Sequence, residues 1–215
     1  MNRQVQSKTS GVRIPRWPFM IAVLLIGVLM SVLSENVTIG PSWMTLVIVA
    51  IAIVPLMIAV MMEHHQWIRR VSLTIISLLT IILFSSVMFL VFSLFTHSAS
   101  AKMLFDDALL LWSANVIVFA TWYWEMDQGG PTHRHIHAVE VSDLLFPQMT
   151  LTGNKWDNWK PSFVDYLFLA FNTSTAFSPT DTMVLSKRIK ILMMTQSSIS
   201  LVIVAVLAAR AINIA

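Results

Sequence analysis

The sequence predicts an all-α fold, a polytopic transmembrane helical bundle. Three observations carry this. Of 215 residues, 56% are hydrophobic and only 12% charged, with a mean hydropathy of +0.73, whereas a soluble domain carries about twice that share of charge. The apolar residues come in blocks that approach or exceed the roughly 20 residues a helix needs to cross a bilayer. The lysines and arginines fall almost entirely in the N-terminal tail and in the polar stretches that flank the blocks, as they do in membrane proteins.

Residues 1–16 read as a basic tail with Arg3, Lys8, Arg13 and Arg16 and no apolar face. Residues 19–33 form the first span, with Trp17 at its mouth. A basic start before a short apolar core also resembles a secretion signal, for which Val32 and Ser34 would frame a cleavage site. The four further apolar blocks favour an uncleaved span. Gly40-Pro41 turns the chain, and residues 43–62 form the second span. Pro55 inside it lacks a backbone donor and predicts a kink. Residues 63–70 are a polar connector (Glu63, His64, His65, Arg69, Arg70) and residues 71–95 an uncharged third span. A second connector over 96–107 holds His97, Lys102, Asp106 and Asp107. The fourth span, 108–124, closes on Trp122-Tyr123-Trp124, which reads as an interfacial aromatic belt. Gly129-Gly130-Pro131 breaks the helix.

The chain thus divides into a basic tail (1–16), a four-helix transmembrane region (17–124), a hydrophilic loop (125–160) and a pore-like region (161–215) of half-helix plus final span. The half-helix is the unusual element. Its apolar run from Phe163 is interrupted by Asp165, Asn172, Thr173, Ser174 and Thr175, and Ser178-Pro179 ends it. Ser178-Pro179-Thr180-Asp181 also reads as a new helix start, with Ser178 as cap and Pro179 in the first turn. Residues 186–214 form the last span behind Lys187, Arg188 and Lys190.

Charge sets the orientation. If residues 163–185 do not cross, 12 of the 14 lysines and arginines lie on the side of the N-terminus, leaving Lys102 and Arg210 opposite. If they cross, the split is 10 to 4. Both arrangements place the N-terminus in the cytoplasm. The larger bias favours five spans plus a re-entrant or interfacial half-helix, with six spans as the alternative.

On a helical wheel Asp165 and Asn172 fall about 20° apart. A carboxylate at membrane depth is costly and faces a watery cavity or a partner. Asp165, Asn172, Thr173, Thr175 and Asp181 are therefore candidates for lining a polar path or ion site. The alternative is that Asp165 sits among headgroups while the hydroxyls satisfy backbone or neighbouring helices. Gln196 and Ser200 share a face of the last span at i, i+4. Interhelical hydrogen bonding is the first reading for them, as for Asn115 and Asn213, and a pore lining the second. His133, His135 and His137 alternate, so an extended segment would point all three one way. With Glu140 or Asp143 they would form a metal site suited to zinc. The chain has no cysteine, which excludes disulfides and thiolate sites. Walker A, HExxH and GxSxG motifs are absent from the sequence. The reading is non-enzymatic, without a cofactor. A net charge of +3 is too small and dispersed to indicate nucleic acid.

The stretch 119–131 (FATWYWEMDQGGP), then Leu145-Phe146-Pro147-Gln148-Met149-Thr150, then 163–182 and Arg210-Ala211-Ile212-Asn213-Ile214, resembles a family of uncharacterised bacterial polytopic membrane proteins akin to the DUF1345 group. The resemblance covers roughly the C-terminal half. It implies a multi-pass protein of a bacterial plasma membrane and no established activity. A looser similarity runs to the potassium-channel pore region, where a short helix and a Thr-rich turn precede an inner helix. A potassium filter needs a TVGYG-type loop. Here Thr175-Ala176-Phe177-Ser178-Pro179-Thr180-Asp181 stand in its place, and no glycine follows Gly153.

The expectation is a channel- or transporter-like protein without a potassium-selective filter. It would sit among membrane lipid as a homo-oligomer and pass an ion or small solute. The alternatives are a membrane scaffold or accessory subunit binding a partner through 125–160, and a metal-handling protein.

Overall fold

The computed structural model describes residues 16–62, 65–96, 99–136, 142–153, 156, 159–175 and 181–214. Arg3, Lys8 and Arg13 of the basic tail, Glu63, His64, His97, His137, Glu140 and the Ser178-Pro179 break lie outside them. Among the described residues are α1 (Trp17–Ser31), α2 (Trp43–Met61), α3 (His65–Thr96), α4 (Ala101–Met126), α5 (Pro131–Ile136), α6 (Phe163–Thr175) and α7 (Lys187–Ile214). Two short strands, β1 (Leu144–Leu145) and β2 (Met183–Val184), pair antiparallel with Leu144 opposite Val184. Four segments are long and apolar enough to cross a membrane: Trp43–Met61, Gln66–Thr96, Ala101–Gly129 and Lys187–Arg210. The helix α1 is apolar but shorter.

Local chemistry explains the helix ends. Pro18 sits in the first turn of α1, where its missing N–H costs nothing. Ser100 caps α4, its hydroxyl accepting from the Met103 N–H at 3.2 Å. Both α3 and α4 begin earlier than hydropathy implies: most of the connectors at 63–70 and 96–107 is helix. Charged residues are good helix formers outside an apolar slab, so hydropathy marks what sits in lipid rather than where a helix stops. The helix α4 ends at Met126, after which Asp127 takes extended backbone with ψ 127°, and Gly130, at φ +97°, turns the chain away. A Cβ there would lie 3.2 Å from the Glu125 carbonyl oxygen.

Two contacts fix how α1 lies along α4. Arg16 pairs with Glu125 at one end, and at the other the Ser34 N–H donates to Asp107 at 2.9 Å. The pairs bracket equal lengths of chain, so the segments run antiparallel and in register. Between α1 and α2 the spacing is close: a Cβ on Gly27 would meet the Val49 side chain at 3.1 Å. Against α4 also pack α3, α6 and α7, making α4 the central helix. Its inward residues Leu104, Leu111, Phe119 and Tyr123 have essentially no exposure.

The helix α6 starts beside the C-terminal end of α4, where Tyr166 donates to Asp127 at 2.6 Å. It ends halfway along the bundle, where Ser174 lies against Asn115 and Gln196. The β1–β2 pair then returns the chain to the end it came from, reinforced by the Leu185 N–H donating to the Asp143 carbonyl at 2.9 Å.

The reading of Trp122-Tyr123-Trp124 as an interfacial belt is corrected. Tyr123 and Trp124 are buried, and the Trp122 indole donates to the Thr80 hydroxyl of α3 at 2.8 Å. Each ring's polar handle or face finds a partner inside the bundle, so the trio packs α4 against its neighbours.

Candidate functional site

Polar groups gather in two places along α4. The first is the seam between α4, α6 and α7. Gln196, fully buried, donates from Nε2 to the Ala170 carbonyl and the Ser174 hydroxyl, both at 2.8 Å. Its Oε1 accepts from the Tyr123 hydroxyl at 2.5 Å. One turn on, Ser200 donates to the Ser174 carbonyl at 2.6 Å. Asn115 faces the same point, its Nδ2 lying 3.4 Å from the Ser174 hydroxyl and from the Gln196 carbonyl. The Asn115 Oδ1 is buried and accepts no hydrogen bond among the described residues. A carbonyl oxygen left without a donor in a dry interior costs about 1–3 kcal/mol and marks a place where a cation, a water or a solute N–H would be welcome.

The second gathering is a charge cluster at the end of α4. Arg16 pairs with Glu125, and its second nitrogen donates to the Thr132 hydroxyl at 3.0 Å. Arg134 donates to the Trp124 and Asp127 carbonyls at 2.8 and 2.9 Å. Its guanidinium lies 4.9 Å from the Trp124 ring centre and 5.1 Å from that of Tyr166, a double cation–π contact. The Asp127 carboxylate accepts from Tyr166 and from the Leu144 N–H. Arg16, Glu125, Asp127 and Arg134 are all buried. Glu125 Oε2 and the Nε and Nη2 atoms of Arg134 make no hydrogen bond among the described residues.

Next to the cluster, Asp143 clamps the loop. Its carboxylate accepts from Arg188 and from the Gln128 N–H at 2.8 Å. Burial resists its ionisation, but the hydrogen bonds from Arg188, Ser186 and the Gln128 backbone outweigh burial and hold the carboxyl below the usual carboxylate range.

The structure separates the residues singled out by sequence. Gln196 and Ser200 are brought together, and interhelical hydrogen bonding is what they do. Thr173 bonds back to the Leu169 carbonyl at 2.8 Å, and its own carbonyl accepts from Ser197. Thr175 turns to the Asn172 carbonyl at 3.2 Å. Asn172 is half-buried and Asp181 exposed. Asp165 does not reach the seam: its Oδ2 accepts from the N–H and hydroxyl of Ser162, both at 2.7 Å. This is a helix cap of the capping-box type, so the wheel that paired Asp165 with Asn172 grouped a cap with an interior face.

The metal reading rested on an extended backbone through His133, His135 and His137. Residues Pro131–Ile136 are helical instead, because Pro131 starts a helix just after Gly130; His137 lies outside the described residues. No group of three potential ligands stands together among the described residues.

Sequence reading missed Ser174, Tyr123 and the Arg16–Glu125–Asp127–Arg134 cluster. The available signal was Glu125 and Asp127 directly following a buried-type aromatic run. No family model, no curated protein and no solved structure matches this chain.

Proposed function

We propose that the protein is a channel- or transporter-like integral membrane protein that handles a cation or a small hydrogen-bonding solute at the α4–α6–α7 seam. In this reading α1, α2, α3, α4 and α7 cross the bilayer, and α6 enters and leaves on the side of the N-terminus. The observation that carries it is the unpartnered Asn115 oxygen beside Gln196 and Ser174 in the bundle interior. Polar groups in such a position are expensive and mark ion or solute routes. The charge cluster, with its own unpartnered Glu125 and Arg134 atoms, lies at the end from which α6 descends and serves as the vestibule.

Oligomerisation fits this reading. Val164, Phe168 and Phe171 form an exposed apolar stripe on α6 at helical spacing. Because α6 is held by Ala170, Ser174 and Tyr166, the pathway would run along its polar side rather than through Asp165.

Purified protein in liposomes tests the proposal, with sodium, potassium and proton flux read separately. Flux that is lost in Gln196→Leu and Asn115→Leu but retained in Asp165→Ala supports it. Absence in the wild type of flux for all three ions and of uptake of small hydrogen-bonding solutes such as urea and glycerol overturns it.

A scaffold role is the second reading, favoured by one observation: part of the 125–160 loop is not free chain but is pinned to the bundle, through Asp127 to Tyr166 of α6 and through Asp143 to Arg188 of α7. A loop fixed in this way presents a constant surface to a partner.

A further inference from the structure

On the side of the bundle away from the seam, α2 and α3 part to leave a groove of about 370 Å³. Its floor is apolar: Ala52 and Pro55 on α2, Val71 and Ile75 on α3. Its mouth holds Trp67 and Arg70, both exposed. The groove has a local cause. Pro55 lies inside α2, where its ring pushes against the preceding turn, and Ala52, nearly one turn earlier, offers only a methyl group to refill the gap.

The two cations beside the groove have different surroundings. Arg69 is half-buried on α3 and within electrostatic reach of the buried Glu125. Arg70 is turned outward, at the rim. Flanking residues Val54, Met57, Ile58 and Leu78 are exposed and apolar, so the groove opens onto a surface that only hydrocarbon would wet favourably. Its occupant must therefore be amphipathic and negative at one end.

We propose that this groove is a binding site for an anionic phospholipid. One acyl chain lies along Ala52, Pro55, Val71 and Ile75, the phosphate rests on Arg70, and the Trp67 indole sits at headgroup level. Basic pockets between membrane helices take anionic headgroups in this way, and a Trp at that depth is the usual interfacial anchor. The inference shares with the proposed function only the membrane location of the chain; it does not involve the seam, so either can fail alone.

The test is native mass spectrometry of the full chain in detergent. It is titrated with phosphatidylglycerol or with phosphatidylcholine of the same acyl chains. The expected result is one tightly held phosphatidylglycerol and weaker phosphatidylcholine. Arg70→Gln should weaken the former about fivefold and the latter less, because choline already offsets the charge of its phosphate. Ala52→Phe, which fills the floor, should weaken both. Soluble glycerol phosphate should not displace the lipid, which separates a lipid site from a simple phosphate site. Equal binding of the two lipids, an unchanged affinity in Arg70→Gln, or displacement by glycerol phosphate would overturn the proposal. Exposed Arg70 is not needed for packing, so that variant should retain its helical circular dichroism and its unfolding midpoint.

Discussion

Arg16 and Glu125 form an ion pair from which solvent is excluded on both sides. It is one of two contacts that lock α1 along α4, the other being Ser34 with Asp107. Eighteen residues separate Arg16 from Ser34, and the same number separates Asp107 from Glu125. At 1.5 Å per helical residue this is about 27 Å, close to the thickness of a hydrocarbon layer. The short helix α1, with its flanking residues, thus spans the 107–125 portion of its longer neighbour.

Removing one member of that pair strands the other. Glu125→Gln or Arg16→Ala should each destabilise the protein by about 3–5 kcal/mol, read as the unfolding midpoint in detergent. The double variant Arg16→Leu/Glu125→Leu should recover most of the loss, because the desolvation cost disappears with both charges. Additive losses in the double variant would show that the two groups do not act as a pair.

The seam should behave as one unit. Tyr123→Phe removes its hydrogen bond to Gln196 and should cost about 0.6–2 kcal/mol; Gln196→Leu removes that bond together with those to Ala170 and Ser174 and should cost more. The double variant should cost clearly less than the sum of the two. Unfolding midpoints of the four proteins complete the cycle.

Gly130 occupies a backbone region open essentially to glycine alone, at φ +97° and ψ 169°. Gly130→Ala should destabilise by about 1–3 kcal/mol, with the Cβ driven against the Glu125 carbonyl. Gly153, at φ +131° but with open space around it, is the control in which strain acts without the clash. Gly153→Ala should cost less.

Asp143 gives the loop clamp a pH dependence of defined sign. Its carboxyl is held below the usual range in the folded protein. The stabilisation is therefore present in full above the unfolded value, about 3.9, and is lost as pH falls through the folded value. Asp143→Asn should be less stable than wild type by a constant amount above about pH 5, and the gap should narrow as the medium becomes more acidic. A gap that widens on acidification would contradict the assignment.

Much of the helical framework is readable from block length alone, because about 20 apolar residues have few alternatives to a membrane helix. The helix ends at His65 and Ala101 are not, since helix propensity continues through charged residues that hydropathy scores as loop. Gln196 and Ser200 are legible as a face through their spacing; their partners Ser174, Tyr123 and Asn115 come from other helices, and pairing of helices is a tertiary fact. Asp165 is a different kind of miss. Ser162-Phe163-Val164-Asp165 carries the local capping signature, and the short-range explanation of the carboxylate was present in the sequence four residues wide. The buried cluster was hidden by position: Glu125, Asp127 and Arg134 follow an apolar span, as ordinary loop residues do, and the groups that enclose them, Arg16, Thr132, Leu144 and Tyr166, come from other parts of the chain.

The strand pair at 144–145 and 183–184 has a topological consequence. Everything between these strands, α6 included, forms a lasso whose two ends meet at one knot tied by Asp143, Leu185 and Arg188. A protease that nicks the exposed residues 151–153 would open the loop without releasing either piece: the upstream fragment stays knotted at β1, and the downstream fragment stays moored through Tyr166, Ser174 and α7. The cut protein should migrate as two bands under denaturing conditions and as a single particle in mild detergent, so that the chain could be co-expressed as two halves divided there and still assemble.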